Sequence, residues 1–205
     1  LCVRLYDKCG MVAKEMMQYV PNTLKNRYEK KFFLQLLGVD YETFVPSAAP
    51  EAQKQLGLDL GHYVLFSDVA NTPIKRRDIA EAIVNNMGEK YKLLIMCGVK
   101  PNVVPLYINA ADFVLLTSDE EGSPNIIREA LALNKRVYSV DVGDVAKQLK
   151  GLKNSLIVSR NALNASKAIL QNLECAYIDN TRIKLQQVLD FKCINENVID
   201  LYENS

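Results

Sequence analysis

Residues 115–130 of this 205-residue chain read Leu115-Leu116-Thr117-Ser118-Asp119-Glu120-Glu121-Gly122-Ser123-Pro124-Asn125-Ile126-Ile127-Arg128-Glu129-Ala130. The segment begins as an apolar run, continues as a short polar loop with one glycine, and reaches a proline where a helix tolerates it best, in its first turn. The first N–H groups of such a helix have no partner within the helix and point back over the carboxyl end of the preceding strand. The segment therefore predicts a strand, an anion-binding turn and a helix.

On both sides of this segment, short apolar and β-branched runs alternate with stretches of helical periodicity. Several runs, such as 93–96 and 113–116, leave no polar face, which is typical of parallel strands covered by helices on both sides. The pattern predicts an α/β fold: a Rossmann-like parallel sheet with helices on both faces, plus terminal helices. The predicted strands are 31–37, 63–67, 92–97, 113–117, 136–140 and 155–158.

Helices are predicted from apolar residues three or four positions apart. Segments 77–87 and 124–133 show this spacing and read as crossovers between strands. A similar pattern and a last apolar patch predict terminal helices that pack on the sheet or on a neighbouring domain; they cover 180–189 and 198–202. Ahead of the sheet, we expect helical structure in 11–20 and 53–58 and a solvated helix face in the charge run 27–31.

Composition and charge place the chain among ordinary globular proteins. Lys and Arg number 25 against 24 Asp and Glu, so the net charge of +1 provides no broad field that would attract nucleic acid. The five cysteines are odd in number and lack the short paired spacings of metal sites, which predicts free thiols and a cytoplasmic protein. No apolar run approaches the roughly 20 residues that span a bilayer, and no signal-type segment opens the chain, so we expect a soluble protein.

Two carboxylates bracket the predicted turn: Glu121 lies in the loop and Glu129 in the helix. A carboxylate accepts two hydrogen bonds from paired hydroxyls but repels phosphate. The order carboxylate, helix N-terminus, carboxylate therefore suits a nucleotide sugar, in which hydroxyl-bearing rings flank a diphosphate. The spacing alone favours the simpler alternative, in which Glu121 faces solvent and Glu129 is an ordinary surface residue of the helix.

Residues 121–132 resemble the E-x7-E motif of family 4 retaining glycosyltransferases, in the E-G-S-P-N form found among enzymes that build polysaccharides and lipopolysaccharides. Other segments are similar to further motifs of that family, in the same order; they are 36–40 with Phe44, 109–112 with the strand that follows, and 136–144 with its glycine loop. The resemblance covers roughly 31–173. It implies the C-terminal, donor-binding domain of the two-domain GT-B architecture.

The resemblance also implies roles for individual residues. Glu121 would hydrogen-bond a hydroxyl of the transferred sugar, Glu129 would hold the nucleotide ribose, and Lys75 would stabilise the departing diphosphate. Gly98 and Val99 would contact the nucleobase through backbone groups. The turn residues whose backbone would approach the sugar and the diphosphate are Gly122, Ser123, Pro124, Asn125 and Ile126.

One position departs from the family pattern. Family members often carry an arginine a few residues before the lysine, but Ala70 stands there, so Arg76 or Arg77 would substitute, or the phosphates would be held with less charge. This departure weakens the case for full catalytic competence. His62, the only histidine, has no evident partners for a metal site, and Cys97 is expected to be a small core residue. We expect no metal and no other cofactor, and we find no dinucleotide-binding or P-loop motif.

The resemblance divides the chain at residue 40. Residues 1–40 would be a remnant of the N-terminal acceptor domain with the interdomain strand, and 41–205 the nucleotide-sugar-binding domain with closing helices. The implied reaction transfers a hexose-type sugar, with retention, to a glycan or lipid-linked acceptor that binds through the missing N-terminal domain; the intact enzyme could contact a membrane peripherally. The chain alone would bind nucleotide weakly and turn over little. Two alternatives stay open: a non-catalytic nucleotide-binding or assembly module of the same fold, and a nucleotide-sugar epimerase.

Overall fold

The computed structural model describes residues 8–68, 72–175, 181–190, 194–195 and 199. In chain order the strands are β1 (Cys9–Met11), β2 (Phe32–Leu34), β3 (His62–Ser67), β4 (Tyr91–Met96), β5 (Phe113–Leu116), β6 (Arg136–Ser139) and β7 (Leu156–Ile157). The α-helices are α1 (Asn22–Tyr28), α2 (Ala49–Gln55), α3 (Arg77–Asn86), α4 (Val104–Ala110), α5 (Asn125–Ala132), α6 (Val145–Gln148), α7 (Ala162–Glu174) and α8 (Thr181–Leu189). Short 3-10 helices cover Lys14–Tyr19, Glu29–Lys31, Pro73–Lys75 and Pro101–Val103.

Five strands form one parallel sheet in the order β4-β3-β5-β6-β7. Strand β3 pairs with β4 on one side and with β5 on the other, and the sheet continues from β5 through β6 to β7. All residues of β5 and β6 are buried, as expected for central strands covered on both faces. The predicted α/β sheet is confirmed, and these five strands lie within two residues of their predicted bounds.

Alternate residues along the strands feed two separate cores. On one face, Val64 and Phe66 of β3 pack in a cluster with residues of α3 and α7. On the other face, Leu65 packs in a larger cluster with residues of α2, α4, α5 and α6. Because successive side chains of a strand point to opposite faces, the all-apolar runs are explained by burial on both sides.

The predicted strand at 31–37 is shorter than expected and lies outside the main sheet. It is β2, and it pairs in parallel with β1 to form a separate two-stranded sheet. The prediction was wrong about its neighbours because β1 contains Gly10 and shows no apolar alternation that would mark it as a strand.

Helical predictions were confirmed at the sheet and were less accurate before it. Helices α3, α5 and α8 match their predicted segments, and α2 begins four residues before the predicted 53. Segment 11–20 is not an α-helix, because its helical part is the 3-10 helix Lys14–Tyr19. Charge run 27–31 lies at the end of α1 and is mostly exposed, as predicted. The predicted patch at 198–202 falls outside the described residues, apart from 199.

Candidate functional site

The loops that follow β3, β5 and β6 share one edge of the sheet, because these strands are parallel neighbours. The N–H of Asp119, after β5, donates to the carbonyl of Ile74, after β3 (2.8 Å). The N–H of Asp144, after β6, donates to the carbonyl of Gly122 (3.1 Å). These bonds join the three loops into one surface at the edge where open parallel sheets bind their ligands.

Lys75 and Glu121 meet at this edge as an ion pair. The Lys75 ammonium lies 2.6 Å from Oε1 of Glu121, and their side chains are only 24% and 13% exposed. Ser118 donates its hydroxyl to the same oxygen (2.8 Å). Within the described part of the chain, the other carboxylate oxygen of Glu121 accepts no hydrogen bond. The two residues assigned to sugar and diphosphate are therefore brought together, and Glu121 keeps one oxygen free to accept.

Thr117, the first residue after β5, fixes the backbone that carries Lys75. Its buried hydroxyl lies 3.0 Å from the carbonyl of Lys75 and 2.9 Å from that of Arg76. Arg76 has a left-handed backbone (φ 52°), a conformation that costs a residue other than glycine about 1–2 kcal/mol. The structure holds this strained turn immediately before α3, which places Lys75 against the loop after β5.

The arginines near this edge are largely engaged with carboxylates. Arg76 binds Asp78 (2.8 Å) and approaches Asp119 (3.3 Å). Arg160, which follows β7, also binds Asp119 (2.8 Å) and donates to the Ser118 carbonyl (2.8 Å). Sequence reasoning missed Arg160, since its reach across the sheet depends on the strand order.

Arg77, the second arginine considered as a substitute at position 70, is directed elsewhere. It pairs with Glu81 one turn later on α3 (2.8 Å). Ala70 itself lies outside the described residues. Of the two candidate substitutes, only Arg76 faces the loop after β5.

The glycine turn between β5 and α5 is closely packed by backbone from the next loop. A Cβ on Gly143 would lie 2.4 Å from the Gly122 carbonyl oxygen and 2.8 Å from that of Glu121, and Gly143 has a positive φ of 56°. Any larger residue at 143 would push the turn away. On its other side, Gly122 is approached by the side chains of Val12 and Met16, which belong to the N-terminal segment.

A buried polar network supports this turn from inside the domain. Arg128 donates to the Ser123 hydroxyl, to the Ser123 carbonyl (3.1 Å) and to the side-chain oxygen of Asn125. Ser123 donates in turn to Asp144 (2.7 Å), which also accepts from Gln148 (2.6 Å). Ser123, Pro124 and Ile126 are buried and Asn125 is exposed, so the first residues of α5 are held from beneath while the helix tip stays open.

Glu129 lies one turn into α5 and is half-buried. Burial raises the pKa of its carboxyl group from 4.5 to about 7, against a smaller opposing effect of the neighbouring Arg128 guanidinium. The described residues provide its carboxylate with no hydrogen bond. Of the predicted acidic pair, one is engaged with Lys75 and the other is a desolvated, unbonded acid.

A cavity of about 230 Å³ opens beside Glu121. The loops after β5 and β6 form one wall, through Asp119, Glu120, Glu121 and Asp141–Gly143, and the N-terminal segment forms the other, through Met16, Gln18 and Tyr19. A second, more open cavity of about 540 Å³ lies on the α3 side and is lined by Asp68, Arg76 and Asp119, among others. The site therefore has two openings that meet at Asp119.

Other predicted residues lie further along the edge or away from it. Gly98, with a φ of 63°, and the half-buried Val99 follow β4, the outermost strand, next to β3. Cys97 is exposed, so the expectation of a core cysteine was wrong. His62 begins β3 at the opposite end of the sheet and contacts Asp112 (3.1 Å).

The described residues form no group of three or more histidine, cysteine, aspartate or glutamate side chains arranged to hold a metal ion. None of their helices has both the length and the apolar character needed to cross a bilayer.

No protein-family model and no curated protein sequence matches the chain, whereas solved structures do. HepE from Anabaena, solved in complex with UDP-glucose, superposes with a TM-score of 0.82 at 14% identity, over 100% of this chain and 65% of its own. The C-terminal domain of a group 1 glycosyl transferase, LpcC from Francisella tularensis, gives 0.60 at 15% identity, over 75% of this chain and 99% of its own. The chain has the fold of a GT-B glycosyltransferase C-terminal domain.

The same fold recurs in sucrose-phosphate synthase from Thermosynechococcus elongatus, with a TM-score of 0.73 at 17% identity, over 98% of this chain and 60% of that one. The chain thus spans less than two thirds of the length of HepE and of the synthase. The GT-B fold predicted from the sequence is confirmed, and the roles of the site residues stay predictions.

Proposed function

We propose that this chain is the donor-binding part of a retaining glycosyltransferase of family 4. The intact enzyme would transfer a hexose-type sugar from a nucleoside diphosphate sugar to a glycan or lipid-linked acceptor, in glycan or polysaccharide biosynthesis. HepE, of the same fold, was solved with UDP-glucose, which supports a nucleotide sugar as the ligand. Among the described residues, Cys9, Cys97 and Cys175 form no disulfide, which fits the reducing cytosol in which we expect the enzyme to work.

The observation that carries the proposal is the Lys75–Glu121 pair beside the tip of α5. A diphosphate at the helix tip would receive backbone N–H groups and the positive end of the helix dipole. The ammonium of Lys75 would lie on the phosphate side and the free oxygen of Glu121 on the sugar side. Because the two groups are 2.6 Å apart, a donor that contacts one of them would also lie close to the other, which supports a position for both beside the bond that breaks.

The chemistry follows from that placement. The bond between the anomeric carbon and the diphosphate oxygen breaks, its electron pair stays on the leaving diphosphate, and an acceptor oxygen bonds the carbon and loses its proton. Negative charge grows on the leaving group, so an ammonium held beside it stabilises the transition state more than the ground state. Glu121 orients the sugar by accepting from a hydroxyl, and Glu129 would accept from the ribose. We expect the reaction to need no metal.

Nucleotide binding by the purified chain tests the first half of the proposal. We would measure the shift of the thermal midpoint with UDP, GDP and ADP at millimolar concentration. Ligand at 100 times its dissociation constant adds about 2.7 kcal/mol to the free energy of unfolding, enough to rank the three bases. If none of the three shifts the midpoint, the binding assignment is lost.

Two variants with matched controls test the residues. Lys75→Met is expected to weaken nucleoside diphosphate binding by about tenfold or more, since a charge-assisted bond to phosphate is worth about 1.5–3 kcal/mol. Glu121→Gln removes the charge that competes for Lys75, and it should weaken binding of the sugar nucleotide relative to the nucleoside diphosphate. The controls are Lys54→Met on α2 and Glu81→Gln on α3, both exposed. Equal effects in variants and controls would contradict the assignment.

The pairing of the arginines favours a second candidate, a nucleotide-binding module without catalysis. Arg76 is bound to Asp78 and Asp119, and Arg77 to Glu81, so neither is freely available to replace the arginine that family members carry near position 70. In the intact two-domain protein, Glu121→Ala should abolish sugar transfer if the chain is catalytic. Nucleotide binding without any transfer by the unmodified intact protein would support the module instead.

A further inference from the structure

Arg128 is a buried cation in the first turn of α5, and its side chain is engaged by uncharged groups alone. The residue is 4% exposed. Its guanidinium donates to the hydroxyl and carbonyl of Ser123 and to the amide oxygen of Asn125, while its Nε has no partner. Among the described residues, no carboxylate forms an ion pair with it.

The nearest acidic partner is reached only indirectly. Asp144 accepts from the Ser123 hydroxyl, and that hydroxyl accepts from Arg128. Burying a cation without an ion pair is costly, and arginine cannot shed its proton to avoid the cost. A neutral side chain could hydrogen-bond to Ser123 and Asn125 at a lower desolvation cost. Support of the turn therefore does not by itself explain why this residue is an arginine.

We propose that Arg128 is a positioning residue for the diphosphate, acting from inside the domain through Ser123 and Asn125 and through its unpaired positive charge. The inference rests on the proposed function, since it assigns the anion at the tip of α5 to a nucleotide sugar. Ser123 and Asn125 belong to the turn whose backbone would approach that anion, so Arg128 sets the direction of the turn. Its field adds to the helix dipole without direct contact with the ligand.

The location of the charge distinguishes Arg128 from the exposed arginines of the site. Arg76 and Arg160 share Asp119, and their side chains are 35% and 41% exposed, so solvent and the carboxylate weaken their fields. Arg128 is shielded from solvent, and the carboxylates of Asp144 and Glu129 act on it without an ion pair among the described residues. Interactions of a charge in the low-dielectric interior are several times stronger than in water.

The experiment compares a nucleoside diphosphate with its nucleoside, using calorimetry on the whole chain. The probes are UDP, GDP and ADP against uridine, guanosine and adenosine. With Arg128→Gln, we expect the diphosphate with the highest affinity to bind about 10- to 100-fold more weakly and its nucleoside to bind within twofold of the unmodified chain. Arg128→Lys keeps the charge and should recover most of the diphosphate affinity. Equal losses for diphosphate and nucleoside, or no loss for either, overturn the inference.

A second variant keeps the test decisive if Arg128→Gln fails to fold. Asp144→Asn retains the bond to Ser123 and removes the negative charge that the Ser123 hydroxyl links to Arg128, while Glu129 is left in place. We expect it to strengthen diphosphate binding about threefold or more at low salt without changing nucleoside binding; unchanged or weaker diphosphate binding overturns the inference. Failure of the unmodified chain to bind any of the three diphosphates would instead reject the proposed function, and the inference with it.

Discussion

The carboxyl group of Glu129 is largely buried and accepts no hydrogen bond from the described residues. Its pKa of about 7, against 4.5 for an ordinary glutamate, means that the folded chain holds this proton across a pH range in which the unfolded chain has lost it. The folded state then binds more protons than the unfolded state, so stability must fall as pH rises through this window. A ligand that donates hydrogen bonds to the carboxylate would stabilise its ionised form.

We therefore predict that Glu129→Gln changes the pH dependence of stability. Between pH 4.5 and 7 the free energy of unfolding of the unmodified chain should fall by up to about 3 kcal/mol relative to that of the variant. The reason is that each unit of pKa shift corresponds to about 1.4 kcal/mol. The two chains should have similar free energies of unfolding near pH 4, and the variant should be the more stable at pH 8. Urea unfolding at a series of pH values measures the difference.

Glu81→Gln, an exposed change on α3, is the control and should show no such divergence. A constant difference between Glu129→Gln and the unmodified chain from pH 4 to pH 8 would show that Glu129 titrates normally. If the ribose binds as proposed, nucleotide affinity should also increase with pH through 7, because hydroxyl donors favour the ionised carboxylate.

Single residues of the site could be predicted from the sequence only where a local motif carried them. Glu121, Gly122 and the turn after them form one continuous stretch, so their position at the strand end followed from the pattern. The contact between Lys75 and Glu121 spans 46 positions and required the knowledge that β3 and β5 are neighbours. Arg160 had no local signal, since only the strand order brings it to Asp119.

At the scale of the element, helix α5 links the site to the end of the chain through its C-terminus. Asn134, just beyond the helix, has a left-handed φ of 54°. The N–H of Lys135 donates to the Ala130 carbonyl and that of Asn134 to the Leu131 carbonyl, which is a Schellman motif. The Asn134 side chain also accepts from the N–H of Arg182 at the start of α8 (3.0 Å). Asn134 therefore ends α5 through its backbone and bonds the start of α8 through its side chain.

Two substitutions separate these contributions. Asn134→Gly keeps the left-handed turn at no steric cost and loses only the bond to Arg182, so it should lower the free energy of unfolding by about 0.5–1.5 kcal/mol. Asn134→Ala loses the bond and adds the strain of a left-handed alanine, so it should cost about 1–2 kcal/mol more than Asn134→Gly. Urea unfolding measures both, and an alanine variant as stable as the glycine variant would refute the assigned strain.

Strands and helices were predicted correctly where the apolar pattern extended over several residues. They were missed where tertiary contacts determine the local structure. Strands β3 to β6 were placed within a residue because their apolar runs have no polar face. Helix α7 was not anticipated, although Asn161 accepts from the N–H of Asn164 as an N-cap, a signal the sequence did contain. Strand β1 is three residues long and pairs with β2 in a two-stranded sheet, and no local pattern marks so short a parallel strand.

At the scale of the whole molecule, the segment between β1 and β2 reaches the candidate site. Val12, and Met16 of the 3-10 helix Lys14–Tyr19, approach Gly122, and Met16, Gln18 and Tyr19 line the smaller cavity. The junction with the larger domain lies further along the chain. Val39 is buried in the main core, and its N–H donates to the Leu189 carbonyl of α8 (2.8 Å). Because of this contact, we expect the boundary between the two predicted parts to lie just before Val39.

We therefore predict that residues 38–205 fold without the preceding segment and keep the nucleotide site. Residues 8–37, the described part of the deleted segment, contribute no strand to the five-stranded sheet, and Lys75, Glu121 and α5 all remain. Losing the apolar contacts to Gly122 should lower the thermal midpoint by less than about 10 °C. Circular dichroism tests whether the shortened chain folds, and titration with the nucleoside diphosphate of highest affinity tests whether it binds.

A longer deletion sets the limit of this prediction. Removing residues 1–44 also takes Val39, Tyr41 and Phe44 out of the main core, along with the carbonyls of Tyr41 and Phe44 that accept from the Arg182 guanidinium. Each large apolar side chain lost from a core costs about 2–5 kcal/mol, and typical domains are stable by only 5–15 kcal/mol, so this chain should be unfolded. If the shorter deletion also unfolds the chain, the first forty residues are part of the same folding unit and the division at residue 40 is wrong. If it folds but binds no nucleotide while the full chain does, the segment carrying Met16 supplies part of the site.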